Sequence, residues 1–442
     1  MRLQILASFI ALQLSAIAQN LASFGNNQHE TLPSTVVLDA EVYKGNLYLG
    51  GKFDLINGVS TSGFCKYDGT NTNSPWPISA LAFEPYNNLL AIAYIDAQGA
   101  SVGFWNDTIL QPSGLNILPT NSLFDLKTFN GNLYLTGYFS ANNKYYILAK
   151  YSGTSWTYHG EVSSLPKSAG LSMAVHNNML HIGGAFDTIN GNFFGTSIVA
   201  FNGTTFLPVN SVYSVATSIF SNSSEIIAGL EQQPIGNPPF AKTIGASTSY
   251  LPFSGFANAE VGRVFRLGNL ELYATVSVRY DLDEPFPSGV LYLKQNQNFV
   301  QLCDSLYASP PDFFLQMDLP RDLIRGVVFY NNQYIIYGGF KSTSAYAQQP
   351  YNLLAVIGSV LGEEENIAAQ NVALFPNPTR DFLTFKDFDD TERYTIYNVQ
   401  GVTVKTGPLS AQINISNLPT GIYVFQREGK DSVSRQRFLK SD

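Results

Sequence analysis

Charge is scarce in this chain. Only 13% of its 442 residues are Asp, Glu, Lys or Arg, against about 25% in an ordinary soluble protein, and the balance is acidic at −8. So few cations cannot track a phosphate backbone, which argues against nucleic acid as a partner. Cysteine is scarcer still. Cys65 and Cys303 stand 238 residues apart, which excludes a disulfide scaffold, and the repeats described below place them on units that should not touch, so two buried thiols are expected. The four histidines, His29, His159, His176 and His181, lack the clustered spacing of a zinc site, and no metal is expected from them. After the first twenty residues no apolar run is long enough to cross a bilayer as a helix.

That first stretch, "MRLQILASFIALQLSAIAQN", has Arg2, an apolar run to Ala18, and Ala16-Ile17-Ala18 before Gln19. This is the pattern of a signal peptide cut after a small-x-small site, so residues 1–18 are expected to be removed and the rest to pass through the periplasm. No cysteine follows the cut to carry a lipid.

What the chain has in plenty is aromatic residues, 13%, and one phrase written many times. "GNLYLGGKFDLING" from Gly45 returns as "NLLAIAY" from Asn88, "GNLYLTGYF" from Gly131, "NMLHIGGAFDTING" from Asn178, "SSEIIAGL" from Ser223, "NLELYAT" from Asn269 and "NQYIIYGGF" from Asn332. The intervals are 43, 43, 47, 45, 46 and 63 residues. Periods of roughly 40–50 residues with several strands per copy are the signature of β-propeller blades, with an open β-solenoid as the competing arrangement. Within a copy, alternating strands are separated by Gly-containing turns such as Tyr67-Asp68-Gly69, Tyr151-Ser152-Gly153 and Phe201-Asn202-Gly203, where Gly supplies the positive φ of a tight hairpin. Trp76, Trp156 and Phe206 are expected to open the outer strands. Gly50-Gly51, Gly183-Gly184 and Gly338-Gly339 are expected inside strands, where close approach of a neighbouring blade would exclude a side chain. The last copy lacks an aromatic fourth strand, and Leu21–Asn27 is expected to supply one and complete blade seven. Through "GGKFDLING" and "GGAFDTING", followed by "YDG" or "FNG", the chain resembles kelch-like secreted bacterial propellers.

Composition changes after Leu361. Residues 362–369 read as an acidic linker, and residues 370–442 as short strands separated by Pro, Asn and Gly turns. The expected architecture is therefore all-β: a seven-bladed β-propeller over 19–361 and a small C-terminal β-sandwich. The tail carries Phe375-Pro376-Asn377-Pro378, Tyr397-Asn398-Val399-Gln400-Gly401, Leu418-Pro419-Thr420-Gly421-Ile422-Tyr423-Val424 and Phe438-Leu439-Lys440. These motifs resemble the type A C-terminal sorting domain of the type IX secretion system of the Bacteroidota. The resemblance implies recognition by that translocon and a destination outside the cell, secreted or on the outer surface. Pro376 and Pro378 would rigidify the entry turn, and Gly421 would let the chain turn before its strand.

Chemistry is harder to find. Loops expected at the mouth of a propeller channel carry Asp54, Asp187, Phe193, Phe194, Tyr280, Phe286, Tyr346 and Tyr351. Aromatic faces of this kind stack on sugar rings or partner side chains, so these residues are the candidate ligand contacts for a glycan or protein partner. Asp281, Asp283 and Glu284 could hold calcium, with a solvated acidic loop as the alternative. Asp54 and Asp187 recur in Phe-Asp-x-Ile-Asn-Gly, where an Asp capping its own turn explains the pattern. No catalytic cluster stands out, so the expected role is a binding module, with a carbohydrate-active hydrolase or lyase as the alternative.

Overall fold

The computed structural model describes residues 21–25, 35–115, 122–141, 143–162, 168–194, 198–209, 214–231, 237–244, 247–251, 259, 261–268, 270–279, 286–295, 298–303, 306–307, 323–331, 333–340, 353–357, 379–384, 392–398, 403–428 and 433–440. The chain divides into two compact units, 1–358 and 359–442. Among the described residues every regular element is a strand. No described helix is long and apolar enough to cross a membrane.

In the larger unit the strands fall into successive antiparallel groups. A short strand β1 (Leu21–Ser23) comes first. The first group is β2 (Val36–Tyr43), β3 (Asn46–Lys52), a small hairpin β4 (Leu55–Ile56) and β5 (Val59–Ser60), then β6 (Phe64–Tyr67) and β7 (Thr72–Asn73), paired in the order β2-β3-β6-β7. The second is β8 (Ser79–Tyr86), β9 (Leu89–Asp96), β10 (Gly99–Trp105) and β11 (Leu110–Pro112). The third is β12 (Ser122–Phe129), β13 (Asn132–Ala141), β14 (Lys144–Tyr151) and β15 (Trp156–Val162). The fourth repeats the first, with β16 (Ala169–His176), β17 (Met179–Ala185), the hairpin β18 (Thr188–Ile189) and β19 (Asn192–Phe193), then β20 (Ile198–Phe201) and β21 (Phe206–Pro208).

The next two groups are β22 (Val215–Ser221), β23 (Ile226–Glu231), β24 (Phe240–Ile244) and β25 (Ser247–Tyr250), followed by β26 (Val261–Leu267), β27 (Leu270–Arg279), β28 (Phe286–Gln295) and β29 (Asn298–Gln301). A single pairing of Glu231 with Val261 joins them into one sheet, and β30 (Leu306–Tyr307) adds to β28. The last group is β31 (Gly326–Tyr330), β32 (Gln333–Tyr337) and β33 (Leu354–Ile357), on whose outer side β1 pairs through Leu21–Ile357 and Ser23–Ala355.

Why the phrase recurs is visible at its opening residue. Gly45, Asn88, Gly131 and Asn178 each hold the second position of a two-residue turn between the first and second strands, at φ of 77°, 62°, 72° and 57°. Both central residues of such a turn have positive φ, which Gly and Asn adopt most readily. The strand that follows is buried almost throughout, as in β3, because both faces of the sheet are covered.

The core lies between sheets. Tyr43, Tyr48 and Phe64 of the first group pack with Ile78, Phe83, Leu90 and Trp105 of the second. Similar clusters join the third group to the fourth, and β31–β33 to β2–β6. First strands touch in succession, β2 to β8, then β12, β16, β22, β26 and β31, and β31 touches β2. A Cβ on Gly50 would lie 2.9 Å from the Ala80 Cβ of the next group, and one on Gly183 would lie 3.1 Å from Ala216 Cβ. Here the glycines do admit a neighbouring sheet.

Several local expectations need correction. Gly51 and Gly184 are crowded by their own first strand, where a Cβ would run into Val36 O and Ala169 O. Gly338 and Gly339 follow the end of β32 instead of lying within it. Trp156 and Phe206 open β15 and β21, but Trp76 lies beyond β7, 37% exposed, its ring centroid 6.4 Å from that of Trp105 in an edge-on contact. The rigid Gly69 turn brings β7 back at Thr72, before the tryptophan is reached. Cys65 and Cys303 are both buried thiols and form no disulfide.

The smaller unit contains a pair, β34 (Phe382–Thr384) with β37 (Gln412–Asn414), and a four-stranded sheet of β36 (Thr403–Pro408), β35 (Arg393–Asn398), β38 (Gly421–Glu428) and β39 (Val433–Lys440) in that order. Leu383 and Ile413 of the pair join Tyr394, Ile396, Tyr423, Phe425 and Phe438 of the sheet in one core.

Candidate functional site

The first strands of the early groups carry a set of half-buried charged side chains, Asp39, Glu41, Glu84, Asp125 and Lys127. In β2, β8, β12, β16 and β22 the register with the second strand shifts at one place, before Asp39, Ala82, Asp125, Ser172 and Ser218 respectively. A bulge of this kind bends the strand and re-aims the next side chain. The re-aimed oxygens reach the following group. Asp39 Oδ2 accepts from Phe83 N at 2.7 Å, Asp125 Oδ2 from Met173 N at 2.6 Å, Ser172 Oγ from Ile219 N at 3.1 Å and Ser218 Oγ from Val264 N at 2.8 Å. Ala82 has no oxygen to offer, and Glu84 Oε1, two residues on, accepts from Thr128 N at 2.8 Å. Between the last group and the first, Arg325 Nε donates to Leu38 O at 3.2 Å and Tyr337 OH to Asp39 Oδ1 at 3.3 Å.

Burial pushes the carboxyls toward neutrality. Asp39 rises to about 6, through burial opposed by its N–H donors and by Arg325. Glu41 rises to about 7, through burial and then the charges of Asp39 and Glu84, while Lys127 opposes. Asp125 also rises to about 7 through burial, held back by Lys127 and the Met173 N–H. For Lys127, burial alone would lower the ammonium, but Glu84, Asp125 and Glu41 hold it up. Its Nζ lies 3.2 Å from Glu84 Oε2. All these side chains keep some solvent contact. It was invisible in the sequence, because Asp39, Glu84 and Asp125 are 41–45 residues apart and follow no local motif.

The second locale is the pair of hairpins inside the first and fourth groups. Asn57-Gly58 and Asn190-Gly191 form their turns, at φ of 51° and 77° and of 52° and 76°. The positive-φ turn itself is made by Asn-Gly. What Asp54 and Asp187 contribute is the backbone carbonyl that closes each hairpin, accepting from Thr61 N at 3.0 Å and Phe194 N at 2.7 Å. Their side chains are exposed. In the repeated phrase Phe53 with Ile56, and Phe186 with Ile189, are buried anchors.

The two hairpins share Ile56 and Ile189 but differ at their other paired positions, Leu55 against Thr188, Val59 against Asn192 and Ser60 against Phe193. Phe193 is 73% exposed, the most exposed of the large apolar side chains described, whereas Phe194 packs against the core. The hairpin is braced by Asn190, whose Oδ1 accepts from Glu161 N at 2.8 Å and whose N donates to Glu161 O at 2.7 Å. Of the other candidates, Phe286 begins β28. Tyr280, Asp281, Asp283, Glu284, Tyr346 and Tyr351 lie outside the described residues, as does the signal-peptide stretch. Among the described residues no three His, Cys, Asp or Glu side chains converge as metal ligands.

In the smaller unit Tyr423 OH donates to Pro419 O at 2.8 Å, fixing the residues before β38. Gly421 opens that strand without a positive φ, and a Cβ there would find only an ordinary contact, 3.8 Å from Tyr423. The turn is made by the preceding residues, so the conformational freedom expected of Gly421 is not used. Lys440 ends β39, buried, and bridges to Thr379. Phe375, Pro376, Asn377, Pro378 and Gly401 lie outside the described residues.

Residues 373–441 match the secretion system C-terminal sorting domain family. No curated protein matches the chain. Among solved structures, one from a study of two prolyl endopeptidases is 9% identical at a TM-score of 0.41, covering 96% of this chain, which spans 58% of that one. The polysaccharide lyase Uly1 is 9% identical at 0.37, with 74% of this chain and 90% of that one covered. The GH43 endo-arabinanase of Bacillus licheniformis is 12% identical at 0.26, over 52% and 94%. Likenesses this shallow carry no argument about activity. The tail does: the type IX sorting domain marks the protein for export, to the outer cell surface or beyond it.

Proposed function

We propose that this is an exported seven-bladed β-propeller that binds a glycan or protein ligand outside the cell, carried there by the type IX translocon through its C-terminal domain. The succession of first-strand contacts that returns from β31 to β2 supports the ring, and β1 would be the outer strand of its last blade. The observation that carries the binding reading is the division of labour among polar groups. Asp39, Asp125 and Glu84 are engaged in holding one blade to the next, while Phe193 stands exposed on a braced hairpin that also carries the exposed Asp187. An aromatic face held on a braced hairpin is the chemistry that stacks on a sugar ring or a partner side chain. A glycan array and a surface-protein pull-down with the exported protein are expected to give a ligand whose binding falls at least about tenfold in Phe193→Ala. Retention of full affinity would remove Phe193 from the site.

A second reading, a carbohydrate-active hydrolase or lyase, rests on Glu41, whose carboxyl near 7 suits a general acid. Turnover of a polysaccharide that disappears in Glu41→Gln would establish it in place of the binding role.

A further inference from the structure

A cavity of about 330 Å³ opens between the fourth and fifth groups, lined by His176, Met179, His181, Leu207, Ile226 and Thr243 among others. Three of these come from a single hairpin. His176 pairs with Met179 across the β16–β17 ladder, and His181 lies two residues beyond Met179, so all three side chains share one face of the sheet. The tight Asn177-Asn178 turn fixes that register. His181 is only 4% exposed and its Nδ1 has no hydrogen-bond partner. A buried ring nitrogen left unmatched is destabilising, and a ligand would relieve it. The two imidazole centroids are 5.9 Å apart, with their planes at 67°. That spacing admits one ion about 2.0–2.1 Å from a nitrogen of each ring.

We propose that this cavity is a Cu(I) site, with His181 Nδ1, a ring nitrogen of His176 and the Met179 thioether as donors. The donor set selects the ion. Imidazole and thioether are neutral and soft, and among the described residues no carboxylate lines the space, so a dication would be left with both charges uncompensated against Leu207 and Ile226. Zinc would also want a fourth ligand. On the rim, His176 Nε2 meets only the exposed Asn177 Nδ2 at 3.0 Å, a contact that an ion can displace.

The test is an anaerobic titration of the full chain with Cu(I) against a chromophoric chelator, followed by X-ray absorption of the complex. One equivalent is expected, with nitrogen and sulfur scatterers. Met179→Leu should delete the sulfur scatterer. His181→Gln and His176→Gln should each weaken binding by about 100-fold or more, at or beyond the upper end of what loss of a supporting partner costs. His176 sits at the rim, so its variant reports on the site even if His181→Gln fails to fold. Absence of Cu(I) binding, equal affinity in His176→Gln, tighter binding of Zn(II) than of Cu(I), or dependence on Cys65 instead of the histidines would overturn the proposal.

Discussion

The inner strands and the two Asn-Gly hairpins use the same kinds of residue to opposite ends. On β2 and β12 the carboxylates of Asp39 and Asp125 are re-aimed by a bulge, and each accepts an N–H from the neighbouring sheet. On the hairpins, the backbone carbonyls of Asp54 and Asp187 close the turn, and their side chains are exposed. The same contrast holds for apolar groups, because Phe186 is buried within the phrase that leaves Phe193 outside. Position relative to the neighbouring sheet, and not residue type, separates structural polar groups from available ones.

The contrast breaks most severely where one sheet meets the next. Gly50→Val places atoms where Ala80 already stands and should cost about 3 kcal/mol, the upper end of overpacking penalties, read as a lowered denaturation midpoint. Asp125→Ala orphans the Met173 N–H and should cost about 1–3 kcal/mol. Asp125→Asn keeps an acceptor and removes a buried charge, so its midpoint at pH 7.5 should equal or exceed that of the parent.

The third expectation concerns pH. Asp39, Glu41 and Asp125 have folded values of about 6, 7 and 7, above their ordinary 3.8, 4.5 and 3.8. Between those limits the folded state binds more protons than the unfolded one. Their contribution is therefore complete below about pH 4 and is lost as pH rises through 6–7. Thermal melts should show this component declining over that window, with a shallower slope in Asp125→Asn. The smallest effect belongs to the hairpin: Phe193→Ala should change stability by less than about 0.5 kcal/mol while removing ligand contact. A large loss of stability there would erase the distinction between the two regions.

Much of the fold was legible because it is local. The turn residues Gly45, Asn88, Gly131 and Asn178 announce themselves through backbone chemistry that needs no distant partner. The sorting-domain motifs were legible for a similar reason, as short ordered strings within 373–441. Trp76 misled because its aromatic character matched Trp156, while the residue actually setting the fourth strand was the Thr72 that follows the turn. The belt of Asp39, Glu84, Asp125, Ser172 and Ser218 was not legible at all. Each acceptor serves an N–H 44–48 residues away, and Asp and Ser at those positions look like ordinary polar residues of alternating strands. The site was half legible: Phe193 and Phe194 were indistinguishable as neighbours in sequence, and strand alternation at the hairpin sent one outward and the other into the core.

By itself the sequence determined the repeating hairpins, the all-β character and the export tail, since each depends on φ preferences, alternation or a contiguous motif. Tertiary structure decided which charges were used up and which stayed accessible. A bulge rotates a side chain by one face, and only the neighbouring sheet determines whether that face is an interior contact or water.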